Sequence, residues 1–191
     1  QSFKRWKNIP FEERQKYFTQ LSEILNNRKQ EFATIITQEM NKPISQSVSE
    51  IEKCAALCDY YAAAENVLKT EQLETEFQIS EIHHEPLGVI LGVMPWNFPF
   101  WQAIRFAVPT ILAGNVIVLK HASICEKSGE TMQEIFEEAG FPKGIFTFLK
   151  VSHTEVEEMI AHPIIRGVSL TGSEAAGRKI AETAGKNLKK C

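Results

Sequence analysis

The chain has 191 residues, 43% hydrophobic and 24% charged, a balance suited to one well-buried domain or a domain with an appendage. A formal net charge of -3 without a basic cluster removes the electrostatic case for nucleic-acid binding. The apolar runs are strand-length and punctuated by glycine, and no charged-then-apolar leader opens the chain, so neither a membrane span nor a signal peptide is expected.

From about Pro10 to Asn41, Phe11, Phe18, Leu21, Leu25, Phe32, Ile35, Ile36 and Met40 recur at three-to-four spacing among polar residues. That spacing predicts a helix or a pair of helices, stopped by Asn41-Lys42-Pro43. Ser47 or Ser49 is the expected cap of a further helix from about Val48 to Leu68. Cys54 and Cys58 fall four apart on it and can share a face. Without a His or another Cys at ligand spacing they read as two buried apolar thiols rather than a metal site. Only Cys125 and Cys191 accompany them, which argues against a disulfide scaffold and fits a reducing, cytoplasmic setting. Residues 1–69 thus read as a helical part whose residue types carry no chemistry.

Residues 70–86 change character. Glu74 to Glu85 alternate roughly between apolar and polar, which predicts an extended ribbon and a surface for oligomerisation. His83 and His84 are adjacent there, so on a strand they point to opposite faces and make a poor metal site.

From residue 87 to 191, strand-like and helix-like segments alternate. Gly88–Val93, Val116–Leu119, Ile145–Leu149 and Arg166–Leu170 are expected strands; Phe100–Ala113, Glu126–Ala139, Thr154–Ile160 and Ser173–Ala184 are expected helices. Serial βα units predict an α/β fold, a parallel sheet covered on both faces, with Gly140, Pro142 and Gly144 making one helix-to-strand return.

Candidate chemistry falls where these strands end, which is where α/β proteins bind ligands. Pro95 and Pro99 bracket Trp96 and Asn97 in a stiff turn, and a carboxamide fixed there can donate to a developing oxyanion. A connector with a core Trp is the plainer alternative. Lys120-His121-Ala122-Ser123 offers an ammonium and a hydroxyl for a ribose or phosphate, or simply a Ser123 cap and a solvated Lys. Thr171-Gly172-Ser173, followed by Gly177, opens a helix whose free amides attract phosphate, although the usual dinucleotide fingerprint is absent and Glu174 suits a plain helix start equally. Arg105, two turns into the helix begun by Pro99, can reach toward a carboxylate or lie on the surface.

Taken together, Pro95-Trp96-Asn97-Phe98-Pro99-Phe100-Trp101-Gln102, Arg105, Leu119-Lys120-His121-Ala122 and Thr171-Gly172-Ser173…Gly177 resemble the first half of the aldehyde dehydrogenase superfamily, with Glu85–Val89 and Ala139–Pro142 extending the likeness along the chain. Within it the chain is most similar to bacterial succinate-semialdehyde dehydrogenases. The resemblance implies a Rossmann-like doubly wound cofactor-binding domain with N-terminal helices and an oligomerisation ribbon. It implies Asn97 as the oxyanion donor and Pro95, Trp96, Asn97, Lys120, His121, Ala122, Ser123, Gly172, Ser173 and Gly177 as residues contacting NADP or NAD, with Gly177 packing its helix. Arg105 and Trp101 would bind the substrate, with Arg105 on its carboxylate. Strict NAD users tend to carry Glu where Ser123 stands, so NADP is acceptable here. The family's nucleophilic Cys and general-base Glu are expected beyond Cys191. A homo-oligomeric enzyme, dimer or tetramer, is implied for the full length, and this piece alone is expected to be inactive. Beginning at Gln1 and stopping at Cys191, the chain reads as cut at both ends. The rival readings are an enzyme for another aldehyde and a non-catalytic nucleotide-binding or oligomerising module.

Overall fold

Strands β3 (Val89–Val93), β4 (Val116–Lys120), β5 (Phe146–Phe148) and β6 (Ile165–Leu170) form one sheet in the spatial order β5-β4-β3-β6, every pairing parallel. The computed structural model describes residues 1–65 and 67–191. Helices α5 (Pro99–Leu112), α6 (Glu126–Glu138), α7 (His153–Ala161) and α8 (Glu174–Lys186) follow the four strands in turn. The expected α/β fold with serial crossovers is therefore present. The strand runs are apolar throughout because helices cover both faces of a parallel sheet.

Before the sheet come α1 (Ser2–Trp6), α2 (Phe11–Asn27), α3 (Lys29–Met40) and α4 (Ile44–Ala62). They join α5 and α6 in one large core on one face, with Phe18, Phe32, Phe100, Ile104 and Phe136 at its centre. Helices α7 and α8 pack on the other face over a smaller cluster of Leu91, Val156, Ile160, Val168 and Ile180. Asn41 closes α3 in the left-handed region, φ 55°, as the expected stop requires.

Three expectations need correction. Helix α4 starts at Ile44 behind Pro43, whose fixed φ suits a helix entry; Ser47 and Ser49 lie inside it and donate to the carbonyls of Pro43 and Ser45. The helix stops at Ala62 rather than Leu68, and Asn66 within the expected range lies outside the described residues. The ribbon is extended over only two short strands, β1 (Glu71–Gln72) and β2 (Glu81–Ile82), paired antiparallel. Its His83 ring bonds Thr70 and Glu81 at the surface, and no group of three metal-ligating side chains occurs among the described residues. No helix among them is long and apolar enough to cross a membrane.

The N-terminal helices hold α5 from behind. Trp6 Nε1 donates to the Ile111 carbonyl (2.8 Å) and Arg14 Nε to the Leu112 carbonyl (2.8 Å), satisfying acceptors that the end of a helix leaves open.

Candidate functional site

Register brings three of the expected sites side by side. Val93, at the end of β3, is level with Lys120 on β4 and with Leu170 on β6. Neighbouring turns therefore begin about 4.8 Å apart across the sheet. Backbone bonds stitch them together: Met94 N–H donates to the Lys120 carbonyl (3.0 Å) and Thr171 N–H to the Val93 carbonyl (3.1 Å). The chain runs outward from β3 through β4 to β5, then returns to lay β6 on the other side of β3. That reversal is a topological switch point, where turns of adjacent strands diverge to opposite faces and leave a crevice at their carboxyl ends.

The turn after β3 carries Trp96 and Asn97 into this region with exposed side chains, Trp96 at 54%. Phe98 caps α5 and Pro99 takes its first position, where a missing N–H costs nothing. The turn's backbone is pinned at several points. Cys125 Sγ donates weakly to the Trp96 carbonyl (3.8 Å), His121 Nε2 donates to the Pro99 carbonyl (2.9 Å), and Lys42 Nζ donates to the Asn97 carbonyl (3.3 Å). Lys42 is also paired with Glu50 (2.5 Å), whose other oxygen accepts from Trp101 N–H (2.9 Å). Neither Lys42 nor Glu50 was singled out by residue type, yet both lie against the turn. A signal existed: Glu50 falls on the stripe Ser47, Ile51, Cys54, Ala55, Cys58 that α4 buries, where a carboxylate needs a partner.

Lys120 is 5% exposed, so the solvated Lys of the plainer reading is not what the fold contains. Its stem is covered but its ammonium reaches the surface, and among the described residues it makes no hydrogen bond or ion pair; desolvation holds its pKa below the usual lysine value, opposed by the nearby Glu126 carboxylate. Glu126 is itself paired with Lys150. Ala122 follows half-buried and Ser123 exposed, with Ser123 opening a short 3-10 turn that its side chain does not cap. His121, expected to touch the cofactor, turns inward. Its Nδ1 accepts from Ala122 N–H (2.8 Å) and Nε2 is spent on Pro99, so its ring has no nitrogen left for a ligand. Burial pushes this imidazole down from 6.5 to about 4, so it is neutral at pH 7.

Helix N-termini are the natural phosphate sites of such a sheet, and most here are filled. Glu50 takes the first turn of α5, Glu39 takes that of α6 through the Lys127 and Ser128 amides, and a Ser152–Glu155 capping box closes α7. At α8 only the Ser173 hydroxyl caps, accepting from Ala176 N–H (3.3 Å), while Glu174 is drawn to Arg178. This is the end reached by Gly172 and Ser173. Gly177 does not owe its place to tight packing: a Cβ there would meet Leu170 Cδ2 at an ordinary 3.6 Å.

Arg105 is exposed, bonded to Gln102 Oε1 (2.9 Å), and lines a cleft of about 310 Å³ with Met94, Phe106, Thr110, Ser169 and Thr171. It thus faces the crevice from α5. Trp101 does not join it. Its ring lies under the Lys53 ammonium, 3.9 Å from the centroid, and borders a separate cleft against α4 with Phe98 and Ser49. The buried thiols are ill suited to nucleophilic attack, since burial raises Cys54 and Cys58 well above the ordinary thiol range and Cys125 to about 12.

A family model described as the aldehyde dehydrogenase family matches residues 1–191. A probable NADP-dependent succinate-semialdehyde dehydrogenase of Synechocystis sp. is 43% identical over all of this chain, which covers 42% of that relative. A NAD(P)-dependent succinate semialdehyde dehydrogenase of Escherichia coli is 41% identical over 99% of the chain and covered over 41% of its length. The crystal structure of succinic semialdehyde dehydrogenase from Streptococcus pyogenes, in complex with NADP+, matches with a TM-score of 0.95 at 41% identity, over 98% of this chain and 42% of that one. The chain spans about two-fifths of the length of these relatives.

Proposed function

Because this chain belongs to the aldehyde dehydrogenase family, we propose that it is the cofactor-binding part of an NADP- or NAD-dependent enzyme that oxidises succinate semialdehyde to the acid. The observation that carries this reading is Lys120: at the carboxyl end of the strand beside the switch point its stem is buried, and its ammonium has no hydrogen-bond or ion-pair partner among the described residues. Partial desolvation lowers its pKa, and a ribose hydroxyl or phosphate oxygen supplies an acceptor that no neighbouring side chain provides.

The residues fit a dinucleotide. Lys120 bonds the adenosine ribose, Ser123 leaves room for a 2′-phosphate, and the first-turn amides of α8 with Gly172 and Ser173 receive the pyrophosphate. Trp96 supplies an apolar wall. The bound dinucleotide supplies the acceptor for the two electrons that leave the aldehyde carbon. Asn97 donates from its carboxamide to the aldehyde oxygen as charge gathers on it, an interaction stronger in the transition state than in the ground state. Arg105 pairs with the distal carboxylate and orients the chain of the substrate. The attacking thiolate and the carboxylate that activates water are assigned to the remainder of the protein: Cys54, Cys58 and Cys125 are buried and resist ionisation, and the exposed Cys191 follows Lys190, which pairs with Gly167 within β6 rather than at its carboxyl end. The hairpin of β1 and β2, with Phe77 71% and Ile79 76% exposed, is proposed as the surface through which copies of the enzyme associate.

Lys120→Met in the whole protein tests the cofactor role. The expected result is a rise of about 10-fold or more in KM for the dinucleotide with little change in thermal stability, because the stem packing is kept and no hydrogen bond or ion pair is lost. Unchanged cofactor affinity would overturn the assignment.

A further inference from the structure

The Lys42–Glu50 pair is an unusual element of this core. Both side chains are almost fully removed from solvent, 5% and 0% exposed, and both reach one short stretch of backbone. Lys42 Nζ binds the Asn97 carbonyl at 3.3 Å and stands 3.7 Å from the centroid of the Phe98 ring; Glu50 binds the Trp101 amide at 2.9 Å. The two ends of the Asn97 turn are therefore tied to one ion pair. Stability alone gives little reason for this arrangement, because an apolar pair of similar volume serves a core as well or better than a buried ion pair. What an ion pair adds is direction: three charge-assisted contacts fix where the Asn97 peptide and the first turn of α5 sit.

We propose that Lys42 and Glu50 are positioning residues for the oxyanion donor, a buried clamp that sets the aim of the Asn97 carboxamide by fixing the backbone of its turn. This rests on the reading of Asn97 as that donor. A fixed donor costs no reorganisation when charge develops, and a displacement of about 1 Å is enough to cost on the order of 100-fold in rate. Lys42 lies between α3 and α4 and Glu50 in the second turn of α4, and neither helix lines the cleft beside Arg105.

The test is a double-mutant cycle in the whole protein. Replacing the pair together, Lys42→Met with Glu50→Leu, is expected to lower Tm by a few degrees, because the Trp101 amide loses its acceptor, and to keep dinucleotide affinity while lowering kcat about 10- to 100-fold at nearly constant KM for the aldehyde. Added to Asn97→Ala, the same replacement should cost nothing further, because the donor it aims is gone. If the two losses multiply instead, or if kcat is unchanged by the pair replacement, the clamp proposal fails. If Asn97→Ala by itself leaves kcat intact, it is the oxyanion reading that fails. Should the double replacement not fold, Glu50→Gln keeps an acceptor for the Trp101 amide but leaves Lys42 without its counter-charge. The same loss of kcat, absent on an Asn97→Ala background, is expected, and an unchanged kcat overturns the proposal.

Discussion

At the scale of single residues the site is built from side chains whose partners lie far away in sequence. His121 is the clearest case. It is neutral because it is buried, and its two nitrogens join the end of β4 to the start of α5. The unfolded imidazole takes up its proton near 6.5 and the folded one only near 4. The unfolded state therefore binds more protons between those values, so stability is complete above pH 6.5 and is lost as pH falls toward 4. That gap corresponds to about 3 kcal/mol. Urea unfolding at pH 7 and pH 4 should show the wild type losing more stability than His121→Gln by an amount of that order; equal losses would mean the ring is not held neutral. Arg105 makes a separate prediction. Arg105→Ala is expected to raise KM for succinate semialdehyde at least 10-fold while leaving an uncharged aldehyde nearly untouched, and equal effects on both would remove its role as a carboxylate clamp. The places of Asn97 after β3, Lys120 at the end of β4 and Arg105 on α5 were legible in the sequence because strand ends and proline punctuation locate them. The inward turn of His121 and the divergence of Trp101 from Arg105 were not, since nothing local says which way a ring faces once tertiary neighbours compete for it.

Between elements, close contact is set by glycine. A Cβ at Gly92 on β3 would stand 2.5 Å from Phe106 of α5, and one at Gly129 of α6 would collide with the edge of the Phe148 ring of β5. These two glycines let α5 and α6 lie down on the sheet, which explains a glycine in the interior of α6 despite a propensity cost of about 1 kcal/mol. Gly92→Ala is expected to destabilise the protein by about 1–3 kcal/mol. It should also lower activity by lifting α5, which carries Arg105 and anchors the turn that holds Asn97. Calorimetry should show the fall in Tm, and adding Phe106→Leu should restore most of it. A silent Gly92→Ala would mean that Phe106 moves aside freely. The order of strands and helices was readable from periodicity, because apolar runs of four to six residues alternate with amphipathic stretches. Boundaries decided by competition between caps were less so: Pro43 outcompetes Ser47 and Ser49 as the entry to α4. The capping of α5 and α6 by Glu50 and Glu39 is a contact across the fold that helical spacing does not encode, apart from the hint that Glu50 lies on a buried stripe.

For the molecule as a whole, the large core beneath α2–α6 and the small one beneath α7–α8 make the two faces of the sheet unequal. The crevice lies where they meet, one wall belonging to each. This has a kinetic consequence. Strands β3 and β4, linked through α5, can pair soon after they form, but β6 must return across about 75 residues to lie beside β3. The crevice is then the last part of the sheet to close, and its thinner wall is the first that can open. Native-state hydrogen exchange should find the amides of β6 released in a lower-energy opening than those of β3 and β4, together with those of α7 and α8. A saturating dinucleotide, bridging both walls, should bring their protection up toward that of the large core.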